Sequence, residues 1–530
     1  MTLDPVDYAV ISQSLAAAAR EMGAKLVRSA YSPIVREASD CSAALLDRHG
    51  NVVAQAELIP MQLGPISETF RACAERVPVE QLTERDFYIN NDPFHGGQHL
   101  PDVFLFTPIF FEGRLVGFGA SVAHHLDLGG GAPGLNMAAS DVYQEGLRFP
   151  PSRYNLDRDW NGGPLEELVR ANIRVPDLTI GDLNAQFAAN EFGALRLREL
   201  CAKYGVERVE AAMAELLDYS ERRVRAAIAA VPDGTFEGED AADADGLRDE
   251  PLLIRAKVTI AGDSITVDFA GTSAQVPFNL NCPLSSTYSA TLSCLKSVLT
   301  SADIPFTEGT KRAFTINVPY GSILNPKPPA PVRARMTTAY RAWNAVMRAL
   351  SQVVPERVIA SGFDTTHITC LSRLDDEGYR IYLEVFGGGY GASARADGAD
   401  GIDSPLSNCS NIPIEALDMD YPFFRVEHYG LWPGSGGAGR HRGGEGVCRA
   451  YRILADGVLY ASYSDRFKIA PWGLFGGASG RCAEAYLERQ GERMPLPANG
   501  SHVLRKGDLL VVRTGGGGGY GAPERREAAE

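Results

Sequence analysis

Four of the nine histidines fall between Asn90 and Gly131: His95, His99, His124 and His125. Asp92, Asp102 and Asp127 stand among them, and glycine clusters close both ends of the stretch. Imidazole nitrogens and a carboxylate oxygen form the donor set that suits Zn, Mn or Fe(II). A lone histidine at a strand end is most often a hydrogen-bonded structural residue. A cluster of this kind reads instead as a metal or catalytic centre.

Two apolar runs position these residues, Val103 to Phe111 and Leu115 to Ala123, with Glu112-Gly113-Arg114 between them. Both are rich in aromatic and β-branched residues, which predicts a β-hairpin. Pro108 marks an edge or a bulge on the outer side of the first run. With a three-residue loop, Phe111 pairs with Leu115, and counting back sets Asp102 opposite His124. Directly opposed side chains share a face, about 4.5–5.5 Å apart at Cβ. His99 lies just outside the strand, where Pro101 bars a helix and lets the chain bend back. The result is two imidazoles and one carboxylate: His99, Asp102 and His124. The same register puts Asp127 opposite His99, placed to orient a ligand histidine or to move a proton. A two-residue loop at Glu112-Gly113 would slip the pairing by one and turn His124 to the other face. His125 points away from His124 and reads as supporting or structural, and His95 is a weaker candidate.

At 530 residues the chain buries a large core and divides into more than one lobe. Its 45% hydrophobic and 22% charged content is that of a globular enzyme. A net charge of −15 argues against nucleic acid or an anionic membrane as partner. The nine cysteines are scattered and form no Cys-x-x-Cys pair, which excludes a zinc ribbon or redox dithiol and fits reduced thiols in a cytoplasm. The N-terminus has neither the basic nor the apolar region of a signal peptide, and no apolar run is long enough to span a membrane.

Along the chain, Val6 to Tyr31 has helical spacing of apolar residues, with Pro5 at its start. A strand pair turning at Arg48-His49-Gly50 and a short helical region from Gln62 to Arg76 precede the hairpin. Gly129 to Gly131 form a tightly turned loop without the Gly-Lys-Ser/Thr of a P-loop. Ala185 to Tyr204 and Val206 to Ala230 read as antiparallel helices broken at Gly205, a scaffold or subunit-contact arm. The acidic run from Glu237 to Asp245 reads as a solvated loop. A hairpin across Ala261-Gly262-Asp263, a helix from Ser286 to Thr300, a proline-rich extended stretch from Pro326 to Pro331 and a helix from Ala339 to Val354 follow. Arg333 and Arg335 read first as surface or interface arginines, with an anionic substrate as the other reading. The C-terminal third is strand- and glycine-rich; Ser464, Asp465 and Arg466 are possible site contributors there, and the tail from Arg525 is charged and frayed. The fold class is mixed, strand-rich α/β, in three regions: 1–182 with the candidate metal site, 183–232 with the helix pair, and 233–530.

The motifs Asn-Asp-Pro-x-x-Gly-Gly-x-His-Leu-Pro-Asp (91–102) and Ala-His-His-x-Asp-x-Gly-Gly (123–130), then Gln144-Glu145-Gly146 and Pro150-Pro151, are long and of low degeneracy. In these the chain resembles the hydantoinase B/oxoprolinase family over nearly its whole length. That family includes the B-type subunits of ATP-dependent N-methylhydantoinases, the C-terminal half of 5-oxoprolinase, and subunits of acetone and acetophenone carboxylases. The carboxylase relatives hold a divalent metal with a His-x-x-Asp pair and a later histidine; here these positions are His99, Asp102 and His124. The family usually has an acidic residue where Asp40 stands, which makes Asp40 a candidate fourth ligand or proton carrier. The resemblance implies the B-type (beta) component of an ATP-dependent cyclic-amide hydrolase, with one Zn or Mn per chain and ATP and Mg used through an A-type partner in a hetero-oligomer such as α2β2. The runner-up is a ketone carboxylase component, but the acetone carboxylase homologues have a much longer chain, so the length of 530 leans toward the hydrolase branch. A scaffold component that completes the partner's site is the reading without chemistry of its own.

Overall fold

The computed structural model describes residues 4–244, 250–403 and 405–523. Its first sheet has six strands: β1 (Cys41–Asp47), β2 (Val52–Ala56), β3 (Asp86–Asn90), β4 (Asp102–Phe111), β5 (Arg114–His124) and β6 (Ser152–Asn155), in the order β2-β1-β5-β4-β3-β6. All neighbours in it are antiparallel. The central hairpin β4–β5 is the one the apolar runs predict, but its turn is shorter. Only Glu112 and Gly113 lie between the strands, and both have positive φ, 49° and 79°. That is the conformation of a two-residue type I′ turn, whose twist matches that of the flanking strands. Phe111 therefore pairs with Arg114, one residue off the expected register. The offset is then undone. Phe110 faces Leu115 while Ile109 faces Gly117, so Val116 is an unpaired bulge residue. Beyond it the pairing runs to Asp102 opposite His124, as expected. Pro108 pairs with Phe118 on one side, and the β3 pairing stops at Phe106, so no ladder partner needs the missing N–H.

Along the middle of β1 and β4, odd- and even-numbered residues face different cores. On one face lie α1 (Pro5–Ser29), α2 (Pro176–Tyr204) and α3 (Val206–Ala229). Ile11, Leu15, Met22, Leu197 and Met213 of these helices pack there with Ala43, Leu45 and Ile109 of the strands. Asp4 caps α1 by accepting the Val6 amide at 2.7 Å, and Gly205, at φ 82°, breaks α2 from α3. The helix pair is thus a layer on the sheet, and α2 starts at Pro176, inside the expected first region. Gly193 lets α2 approach α1 closely: a Cβ there would lie 2.3 Å from Met22 Sδ. On the other face Ala44, Leu46, Phe104, Phe106, Phe118, Ala120 and Val122 join the main core. Asp102 and His124 continue these rows at the strand ends.

The second sheet is β10-β9-β8-β7, from β7 (Gly234–Ala242), β8 (Leu252–Ala261), β9 (Ser264–Asp268) and β10 (Phe314–Asn317). The acidic run is therefore mostly strand, not loop: its alternation puts Asp240 inside and Glu237 and Glu239 outside. Asp245 lies outside the described residues, as does the charged tail. Two helices cover this part of the main core, α4 (Leu284–Leu299) and α5 (Arg335–Leu350). A Cβ at Gly238 of β7 would lie 2.1 Å from the Ala345 carbonyl oxygen, so that strand position needs glycine for α5 to pack.

The C-terminal region adds two antiparallel sheets, β12-β11-β15-β18 and β13-β14-β19-β16-β17. Their strands are β11 (His367–Asp375), β12 (Gly378–Phe386), β13 (Phe424–Trp432), β14 (Gly446–Ile453), β15 (Val458–Tyr463), β16 (Glu484–Arg489), β17 (Glu492–Leu496), β18 (Gly500–Leu504) and β19 (Leu509–Arg513). Between them glycine segments cross backbone on backbone; a Cβ at Gly517 would lie 1.9 Å from the Tyr390 carbonyl oxygen. The whole is a mixed α/β fold with several antiparallel sheets. No helix among the described residues is long and apolar enough to cross a membrane.

Candidate metal centre

Three adjacent strands of the first sheet end together. Cys41 of β1 pairs with Ala123 of β5, so Asp40, one residue before β1, comes beside His124, whose amide donates to the Asp40 carbonyl at 3.0 Å. His124 in turn opposes Asp102. His99 returns to the same place because the Asp102 amide donates to the His99 carbonyl at 3.0 Å, closing a turn over Leu100-Pro101. His99 Nε2 lies 3.2 Å from Asp102 Oδ1, and His124 Nδ1 lies 3.6 Å from that same oxygen and 3.6 Å from Asp40 Oδ2. His99, Asp102 and His124 each offer a ligand atom within 4.8 Å of the others, and all three are buried.

Second contacts fix the donors. His99 Nδ1 sits 3.2 Å from the Arg333 carbonyl oxygen, to which it donates, so its Nε2 carries the lone pair. That Nε2 is buried with no hydrogen-bond partner. Asp102 splits its two oxygens: Oδ1 faces the imidazoles and Oδ2 accepts from the Arg335 guanidinium. Gln62 donates to Asp40 Oδ1 at 2.8 Å and approaches Asp102 Oδ1 at 3.5 Å. Pro60 starts the short helix Pro60–Leu63 that delivers Gln62.

The electrostatics favour ligation. Burial, helped by the Arg335 charge, pushes His99 well below the ordinary histidine range, and burial takes His124 down to about 4. Both rings are therefore neutral at pH 7 and free to donate lone pairs. Burial alone would raise Asp102, but the Arg335 guanidinium on its Oδ2 holds this carboxyl well below the usual range. Burial and the charge of Asp102 raise Asp40 to about 8. Metal–ligand bonds of about 2.0–2.2 Å imply neighbouring donor separations of about 3.0–3.5 Å. The observed 3.2 and 3.6 Å spacings match that geometry, so the residues fit a divalent ion.

Other expected residues lie elsewhere. The Asp127 carboxylate accepts the amides of Gly129 at 3.3 Å, Gly134 at 3.1 Å and Arg174 at 2.9 Å, and pairs with the Arg174 guanidinium at 3.1 Å. It clamps the 129–134 loop instead of lying opposite His99, because the chain turns at 99–102 and does not extend β4. His125 faces α2, with Nε2 3.1 Å from Gln186 Oε1. His95 is largely exposed and lies 3.1 Å from Asp92. Arg333 and Arg335 are not surface arginines; they are 4% and 3% exposed. Asp465 and Arg466 belong to a separate buried ionic network with Asp240 and Arg341. Gln62 and Arg335 are the site residues that sequence reasoning did not assign; Gln62 is signalled only as the one polar residue in an apolar, proline-flanked stretch.

The sequence profile of hydantoinase B/oxoprolinase matches residues 4–523. The chain belongs to the hydantoinase B/oxoprolinase family. It is 35% identical to the B-type component of a putative D-/L-hydantoinase from Pseudomonas sp. (strain NS671), over 99% of this chain and 91% of the relative. It is 31% identical to the beta chain of caprolactamase from Pseudomonas jessenii, over 100% of this chain and 92% of that one. The crystal structure of ATP-dependent caprolactamase from Pseudomonas jessenii superposes with a TM-score of 0.91 at 29% identity, covering 100% of this chain and 93% of the other. An acetone carboxylase structure shares the fold, with a TM-score of 0.87 at 19% identity, over 99% of this chain and 76% of that chain.

Proposed function

We propose that this chain is the metal-carrying B-type subunit of an ATP-dependent cyclic-amide hydrolase. The observation that carries the reading is the buried His99–Asp102–His124 set, with ligand-like donor spacing, in a family whose relatives of near-equal length include hydantoinase and caprolactamase components by name. His99 Nε2, Asp102 Oδ1 and His124 Nδ1 hold the ion, Zn or Mn, and Asp40 is the fourth ligand or the proton carrier. A divalent ion at this place polarises a carbonyl and lowers the pKa of water. The chain's own groups do the rest. Arg335 keeps Asp102 ionised and turned, the Arg333 carbonyl keeps the proton of His99 on Nδ1, and Gln62 orients Asp40. Asp127 serves by holding the 129–134 loop beside the site.

A lactam is a poor electrophile, and the activation that ATP supplies needs a nucleotide site. The glycine clusters of this chain have neither the P-loop nor the dinucleotide-binding form. We therefore assign ATP and Mg to an A-type partner in a hetero-oligomer such as α2β2, in the cytoplasm. The test is ADP release and ring opening by the co-expressed pair against a panel of lactams and ketones, with and without bicarbonate. Lactam-dependent turnover by the pair and none by the lone metal-loaded chain supports the reading. Substantial ATP-dependent turnover by the lone chain refutes the partner, and turnover that needs a ketone and bicarbonate places the chain on the carboxylase branch.

A further inference from the structure

A cavity of about 340 Å³ lies between the short helix Pro60–Leu63, α4 and α5. Leu63, Phe306, Trp343, Met347 and Ile359 give it mostly apolar walls. Small-molecule sites of roughly 300–1,000 Å³ are built this way, with an apolar lining and a few polar groups that fix the ligand's orientation. None of Asp40, His99, Asp102 and His124 lines it, so it is separate from the metal donors. The two places share one element. Pro60 and Leu63, three residues apart on one face of the short helix, line the cavity, whereas Gln62 turns to Asp40 Oδ1 at 2.8 Å.

Three charged residues stand in the wall: Glu57, Lys296 and Arg357. Arg357 is turned to Glu356 at 3.5 Å, and Glu57 is exposed. Lys296, in the last turn of α4, is half-buried, and no carboxylate among the described residues forms an ion pair with it. Burial lowers its ammonium from the ordinary lysine value, and the charges of Glu57 and Asp303 oppose this only in part. An unpaired cation in a mostly apolar wall is costly unless an anion meets it. Two cations against one carboxylate also make the lining net positive, in a chain of net charge −15.

We infer that this cavity binds a small carboxylate with an apolar chain, the carboxylate on Lys296 and the chain against Trp343 and Met347. The inference does not rest on the proposed function. Two sources share this chemistry: a simple monocarboxylate, and the amino acid that opening a lactam ring releases, whose ammonium Glu57 is there to meet. A ligand held here bears on the helix that carries Gln62, and through it on Asp40.

The experiment is calorimetric titration of the full-length chain with hexanoate, hexanol, hexylamine and ε-aminohexanoate, followed in parallel by tryptophan fluorescence. It is run with and without bound metal, so that a carboxylate on the ion is told apart. The variants are Lys296→Met, which keeps the apolar stem and removes the charge, and Trp343→Phe, which removes the local fluorophore. Expected is hexanoate binding that is independent of metal and changes the fluorescence of the wild type but not of Trp343→Phe. Hexanol and hexylamine should bind on the order of 10-fold or more weakly than hexanoate, and Lys296→Met should lose the same factor for hexanoate. Tighter ε-aminohexanoate than hexanoate identifies the ring-opened amino acid, and the reverse a simple monocarboxylate. The comparison of probes on the wild type stands even if a variant fails to fold. No binding of either carboxylate, hexanol binding as tightly as hexanoate, or undiminished hexanoate binding in Lys296→Met overturns the site.

Discussion

Two groups of charged residues lie deep in this protein, and they are finished differently. In the network around Asp240, one carboxylate collects four donors: Arg466 Nη2 at 2.7 Å, Asn344 at 3.0 Å, Arg341 Nη1 at 3.1 Å and Arg466 Nη1 at 3.4 Å. Asp243 beside it accepts three successive amides, of Phe467, Lys468 and Ile469, at 2.6, 3.1 and 2.8 Å. Arg341 Nε and Asp465 Oδ2 find no hydrogen bond but face each other at 3.7 Å, and Arg466 Nε is the one further nitrogen of these two guanidinium groups without a hydrogen bond. These contacts tie β7, α5 and the 464–469 segment together. At the candidate metal centre the surrounding contacts are just as tight, yet His99 Nε2 and His124 Nε2 are buried without a hydrogen-bond partner. A buried set whose charges pair with each other holds elements together; one that leaves imidazole nitrogens inward at ligand spacing is suited to receive an ion.

This contrast breaks first, and hardest, at Asp240. Asp240→Ala leaves two buried guanidinium groups without their anion and should cost about 3–5 kcal/mol in denaturant unfolding. Metal content should be unchanged in whatever folds. If the variant keeps wild-type stability, the network is not the clamp described here.

The second effect is a pH dependence inside the same network. Burial, together with the charge of Asp243, raises Asp465 to about 7, against Arg341 and Arg466. The folded chain then keeps this proton to higher pH than the unfolded chain. The stability cost sets in as pH rises from about 4 and is complete above about 7. Asp465→Asn should therefore gain on the order of 2 kcal/mol over wild type at pH 8, and that gain should vanish towards pH 4. Asp240 runs the other way: burial would raise it, but Arg466 and Arg341 prevail and lower it. Its contribution is present above about pH 4 and is lost as pH falls further. Melting curves of wild type and Asp465→Asn across this range check the sign.

The smallest expected effect is at the hairpin turn, which belongs to neither group. Gly113 has φ 79° and open space around its Cα, so Gly113→Ala meets strain but no clash. It should cost about 1 kcal/mol and leave metal binding intact. Loss of metal would mean that the turn, and not the Val116 bulge further along, sets the register of His124.

How the sequence and the structure compare is clearest at that hairpin. The aromatic and β-branched runs were enough to identify both strands, and Asp102 does oppose His124. Yet the expected three-residue loop is a two-residue turn, and the pairing survives because Val116 bulges by one residue. Nothing about a valine between Leu115 and Gly117 marks a bulge, so two unread features cancelled. The acidic run misled because charge density masks a strand's alternation; only packing against α5 shows that Asp240 points inward. Asp127 misled because a register was extended past Pro101, where the chain turns. Arg335 lies more than two hundred residues from Asp102, and only the tertiary fold brings them together. That His99, Asp102 and His124 come together was legible as a spacing of donor types, and the relation to known proteins as long motifs. The second contacts of His99 and Asp102 were not.

The most direct test is metal stoichiometry. Purified wild-type chain, His99→Ala and His124→Ala are loaded with Mn or Zn, freed of excess ion and analysed for metal, with circular dichroism and melting curves on the same samples. About one divalent ion per wild-type chain is expected, lost in both variants, with the fold retained because neither histidine carries the core. Full metal retention in both variants, or a wild-type chain that holds no ion, would contradict the account.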